Sequence, residues 1–169
     1  MKAYFRVQIP IMTTLIGLCI GVVVFGMIVH ESSHALACIF LKVPFTYSIF
    51  QVNTVPLTGI TAIFMGLSGG IAELFVSLLA FWLVTFLEKR GLNWFLGAIG
   101  FEIAFLTMVF LGVINSLWEG LFYDSYQLVY NNPPFLLVLF LLTFGISFIV
   151  VKKWKFKKLA PKTTKEKFD

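Results

Sequence analysis

Four apolar runs, at about 9–41, 60–87, 92–118 and 133–151, dominate this chain of 169 residues. Each is long enough to cross the roughly 30 Å hydrocarbon core of a bilayer as a helix. Inside lipid no water satisfies backbone N–H and C=O groups, so a spanning segment must pair them within itself. The sequence therefore predicts an all-α integral membrane protein of about four transmembrane helices. Charged residues make up 12% of the chain, half of the roughly one quarter usual in soluble domains, which argues against a soluble fold. Residues 1–151 read as a single polytopic membrane domain and 152–169 as a basic cytoplasmic tail.

Between the first two runs, 42–59 holds Pro44, Pro56 and Gly59 around Tyr47-Ser-Ile-Phe-Gln-Val52. β-Branched and aromatic residues mixed with polar ones and bounded by proline predict a short extended segment or hairpin. Gly91 fits a tight turn between the second and third runs. Lys2 and Arg6 ahead of an apolar run resemble a signal peptide. The run from Ile9 to Leu41 is too long for one, however, and no small-residue cleavage site stands out, so the segment reads as retained.

Basic residues set the expected orientation. Lys2 and Arg6, then Lys89 and Arg90, then the polybasic tail all fall on one side of four spans, whereas the other side has Lys42. The positive-inside rule then puts both termini in the cytoplasm. Lys152 to Lys167, directly after a span, reads as an anchor on anionic lipid rather than a nucleic-acid arm. Trp94, Trp118 and Trp154 fall near span ends, where indoles anchor at the interface. Cys19 and Cys38 sit ~28 Å apart along a single helix, too far to bridge.

Chemistry concentrates at His30-Glu31-Ser32-Ser33-His34, which contains the chain's two histidines. On a helix His30 and His34 are one turn apart and can share an ion. A zinc ion (Zn2+) there lowers the pKa of its water towards ~7, and Glu31, adjacent on the wheel, can accept the proton. The flanks, Gly-Met-Ile-Val and Ala-Leu-Ala-Cys-Ile-Phe-Leu, make three ionisable groups costly here unless they have a purpose. His30 and His34 are thus candidate metal ligands and Glu31 the candidate general base.

A hydrolytic zinc site needs a third protein ligand and one open position. Glu88, beside Lys89 and Arg90 at the opposite membrane face, reads as a solvated ion pair. Glu102 lies towards that same face, and Glu73 lies halfway along the second run. Glu119 and Asp124, after the third run, are on the same side as the histidines, and position alone does not separate them. Glu73 and Glu102 are intramembrane carboxylates that could be protonated, paired or part of a water path. Gly66, Gly69 and Gly70 permit close helix approach or line a site.

Val29-His-Glu-Ser-Ser-His-Ala-Leu-Ala37, Gly66-Leu-Ser-Gly-Gly70 and Asn115 with Asp124 together resemble the site-2 protease family of intramembrane zinc metalloproteases. The resemblance covers roughly residues 25–130 and is strongest at the histidine motif. It implies Asp124 as third ligand, Asn115 in holding the substrate strand or the site, and an extended membrane-associated segment at 43–58. It also implies cleavage of a substrate's transmembrane helix after local unwinding. Asp124 is followed by Ser125 where the family pattern has glycine, which keeps Glu119 as the alternative ligand.

The function expected is zinc-dependent endopeptidase activity in or near a substrate's transmembrane segment. Glu31 would be catalytic, His30, His34 and Asp124 (or Glu119) would bind zinc, and Asn115, Gly69 and Gly70 would support substrate or site. The partners expected are a membrane protein or peptide substrate and the lipid bilayer, with no nucleic acid; a regulatory membrane partner or a homo-oligomer stays open. The alternative is a non-catalytic metal-binding membrane protein, or an inactive protease relative acting as regulator or chaperone. A third class, an ion or solute carrier using Glu73 and Glu102, predicts flux that survives loss of both histidines.

Overall fold

The computed structural model describes residues 2–48, 51–90, 95–121 and 132–159. The first apolar run is one span, Ile9–Leu41, built from α1 (Lys2–Ile20), a π-helical segment (Gly21–Val29) and α2 (His30–Leu41). Pro10 does not end α1. The hydroxyls of Thr13 and Thr14 bond back to the carbonyls of Ile9 and Pro10, at 2.9 and 2.7 Å.

At its C-terminus α2 stops at Lys42, which takes the left-handed conformation at φ 55°. The N–H groups of Lys42 and Val43 close onto the carbonyls of Ile39 and Cys38, and Pro44 follows where a helix cannot continue. The expected hairpin is present: β1 (Phe45–Ser48) pairs antiparallel with β2 (Gln51–Thr54), Tyr47 facing Val52 and Ser48 facing Gln51. Gly59, at φ 63°, turns the chain into α3 (Ile60–Lys89). The remaining helices are α4 (Phe95–Leu121) and α5 (Pro133–Leu159). In α5, Pro133 takes the first helical position, where its missing N–H costs nothing, and the Asn132 carbonyl accepts from Phe135 and Leu136.

Among the described residues four helices are long and apolar enough to cross a membrane, and the chain is a multi-pass membrane protein. Of their apolar windows that of α4 is 61% buried, against 17–28% for the others, so α4 is the central helix. Association in lipid depends on close packing rather than apolar transfer, which favours small side chains at the contacts. Accordingly Thr13, Thr14 and Gly17 of α1 meet Gly100, Phe101 and Ala104 of α4. Leu137, Leu141 and Leu142 of α5 and Phe75 and Trp82 of α3 point outward, towards lipid.

Two boundaries differ from the sequence expectation. The third helix runs to Leu121 rather than 118, which places Glu119 in its last turn and not in a loop. The fourth continues through 152–159, a stretch expected to be tail. The reason lies in Lys155, which is only 3% exposed. Its ammonium meets the carboxylates of Glu88 and Glu102, the latter at 2.8 Å, and a buried charge paired in this way holds the helix in register with α3 and α4. Glu88, expected to pair in solvent with Lys89 and Arg90, is therefore turned inward. Arg90 lies over the Phe86 ring, 4.8 Å from its centroid.

Candidate metal centre

The motif histidines begin α2, immediately after the π-helical segment, a wide-turn geometry that recurs at functional sites. The His30 N–H bonds to carbonyls of Phe25 and Met27. From there regular helix sets His30 and His34 one turn apart, and their Nε2 atoms lie 3.0 Å from each other. Glu119, arriving from the last turn of α4, places Oε2 3.2 Å from His30 Nε2 and 3.3 Å from His34 Nε2. His30 and Glu119 are 5% and 6% exposed, so little solvent separates them.

Glycines make this approach close enough. On α3, Gly66 lies against the Glu119 and Gly120 backbone and Gly70 against Ser116, so α3 and α4 touch at main-chain distance. Gly69, between them, faces the imidazoles: a Cβ there would sit 2.5 Å from His34 Nε2 and 2.6 Å from His30 Nε2. Of the two glycines expected at the site, Gly69 therefore clears space over the histidines and Gly70 seats the helix that carries Glu119.

The outer imidazole nitrogen of His34 identifies its tautomer. His34 Nδ1 is 2.9 Å from the Met65 carbonyl and 3.1 Å from Ser68 Oγ. That carbonyl can only accept, so Nδ1 donates and Nε2 is left with its lone pair. Ser68 Oγ donates to the same carbonyl at 2.7 Å, and Ser33 Oγ donates to the Ser68 carbonyl at 2.8 Å. His30 Nδ1 lies 3.4 Å from Glu73 Oε2, beyond the usual N–H···O range, and has no hydrogen-bond partner among the described residues. Asn115 Nδ2 donates to that same Glu73 oxygen at 3.0 Å.

With protons on both Nδ1 atoms, the state a shared cation requires, two nitrogen lone pairs and a carboxylate oxygen would face one another. Such an arrangement is repulsive unless a cation fills it. An ion bonded at 2.0–2.1 Å in tetrahedral geometry holds its ligand atoms about 3.3 Å apart, and the contacts here are 3.0, 3.2 and 3.3 Å. Among the described residues, His30, His34 and Glu119 form the group able to share a metal ion. The other expected third ligand, Asp124, lies outside the described residues. Cys38, one turn beyond His34, points elsewhere, its thiol donating to Met65 Sδ at 3.7 Å.

Glu31 lies on the hairpin side. Its Oε2 accepts from the Val52 N–H at 2.8 Å, and neighbouring Ser32 Oγ shares a hydrogen bond of 3.0 Å with the Tyr47 hydroxyl. The expected base is thus held at the edge of β2. One contact of the site went unassigned in the sequence: Glu73, read as a carboxylate with no preferred partner, stands behind His30, while Asn115, expected to support substrate or site, stands behind Glu73. The signal was there in the spacing of Asn115 and Glu119, one helical turn apart in an apolar segment. Glu102, on the other hand, is far from this centre and bonded to Lys155 and Thr85. No family model, curated protein or solved structure matches the chain.

Proposed function

We propose that the chain is a membrane-embedded zinc endopeptidase that hydrolyses a peptide bond in or near a transmembrane segment of another protein. The observation that carries this reading is the convergence of His30 Nε2, His34 Nε2 and Glu119 Oε2 within 3.3 Å of one another. Three protein ligands with a fourth position free distinguish a hydrolytic site from a closed structural one. Zinc held there would supply Lewis acidity, polarising the scissile carbonyl and bringing the pKa of water to about 7. Glu31 accepts the proton from the attacking water and delivers it to the departing amide nitrogen as the C–N bond breaks. Gly69 lets α3 approach both imidazoles, and the hairpin reaches the motif through its contact with Glu31. The resemblance to site-2 proteases supports a peptidase built on His30, Glu31 and His34 and supplies the substrate class, an unwound membrane helix, although it implies Asp124 and not Glu119 as third ligand.

The basic residues favour an orientation with both termini cytoplasmic. The motif end of α2, the hairpin and the Glu119 end of α4 then lie towards the opposite face.

One observation favours the non-catalytic alternative: the Val52 N–H already occupies Glu31. Two measurements separate the readings. Metal content of detergent-purified protein, by mass spectrometry, should be near one zinc per chain and should vanish in His34→Ala; absence of zinc in wild type overturns both. Glu31→Gln should keep the zinc and abolish cleavage of a membrane substrate. Full cleavage by that variant would sink the proposed mechanism.

A further inference from the structure

Glu73 has a carboxylate that is 1% exposed in the middle of a membrane helix, a placement that is costly without partners. Among the described residues no lysine or arginine pairs with it; its contacts are the Asn115 amide at 3.0 Å and His30 Nδ1 at 3.4 Å, both on Oε2. We infer that Glu73, aimed by Asn115, is a positioning residue that fixes the tautomer of His30 and supplies the negative charge that lets a buried divalent cation bind. The inference rests on the metal centre proposed above and deepens it.

Two physical arguments meet on this residue. A carboxylate accepts and does not donate, so it draws the His30 proton to Nδ1 and leaves Nε2 for the metal; carboxylates behind metal-bound histidines act in this way. The Met65 carbonyl does the same for His34 with a neutral group. Only His30 therefore has a charged acceptor behind it. The second argument is electrostatic. Two neutral imidazoles and Glu119 leave a divalent cation with one uncompensated positive charge in a low-dielectric interior. Glu73 cancels it. Glu31 is less suited to that task, because it is partly exposed and tied to the hairpin.

Glu73 could instead be simple glue between α3, α4 and the first span. Glu73→Gln distinguishes the two roles. The amide oxygen still accepts from Asn115 and still faces His30 Nδ1, so the packing contacts survive while the charge is lost. Zinc affinity of the full chain in detergent, measured by competition with a chromophoric chelator, should fall about 10–100-fold in Glu73→Gln, with thermal unfolding and size-exclusion behaviour retained. Asn115→Ala, which leaves the carboxylate charged but unaimed, should weaken zinc by a smaller factor.

Wild-type zinc binding with Glu73→Gln within twofold of it would overturn the inference and leave the metal centre standing. Failure of the wild type to bind zinc would overturn both. Should Glu73→Gln not fold, Asn115→Ala decides, and unchanged affinity there overturns the positioning role.

Discussion

At the scale of single residues the site depends on what is absent as much as on what is present. Gly69 has no side chain where one would meet both imidazole Nε2 atoms at 2.5–2.6 Å. Alanine is a better helix former by about 1 kcal/mol, so Gly69→Ala should not weaken α3. It should raise the zinc dissociation constant at least tenfold, about 1.4 kcal/mol, as read by chelator competition. A variant that binds zinc as wild type does would show that the metal sits away from Gly69. The third ligand is open to an equally direct test. Glu119→Ala should empty the site, and Asp124→Ala should leave the zinc content unchanged; the reverse pattern would restore the assignment that the family resemblance implies. Both acids were candidates in the sequence. The place of Glu119 required knowing that α4 extends to Leu121, because one further turn of helix turns it from a loop acid into an inward-facing one.

Among the elements, the hairpin was legible from composition, since proline-bounded aromatic and β-branched residues have few other local options. Its contact with the motif was not, because nothing in 42–59 specifies which edge turns towards α2. The tie is the Val52 N–H to Glu31, 2.8 Å long. Val52→Pro removes that donor, on an edge where proline is tolerated. The expected result is zinc content unchanged and stability lowered by about 1.5–3 kcal/mol, the range for a hydrogen bond to a charged group, seen as a lower melting temperature. Loss of zinc would instead make the hairpin part of the metal centre. The π-helical segment at Gly21–Val29 also escaped the sequence reading, as its residues suit an ordinary apolar helix equally well.

For the molecule as a whole, the far end of the bundle is closed by Lys155 between Glu88 and Glu102. Removing one partner of a buried ion cluster strands the others, so Lys155→Met should cost about 3–5 kcal/mol. Unfolding in detergent would reveal it, and a loss below 1 kcal/mol would mean that the two carboxylates are satisfied without the lysine. Four spans also place the hairpin and the end of α5 on opposite faces. In a Cys19→Ala background an impermeant thiol reagent should label Asn53→Cys from one side and Lys153→Cys from the other, with Lys153 cytoplasmic. Labelling of both from one side would remove a span.

What the sequence by itself determined follows from local and solvent physics. The length of an apolar run decides whether it spans, and helical pitch decides that His30 and His34 share a face. Both are readable within a few dozen residues of one chain segment. What only the tertiary structure decided is which distant groups face those histidines. Glu119 is 85 residues from His34, and it arrives because Gly66 and Gly70 let α3 and α4 meet at backbone distance. Glu73 and Lys155 acquire their partners by the same close packing. A buried charge in lipid is stable only beside its complement, and that complement is chosen by how helices cross, which no local pattern encodes.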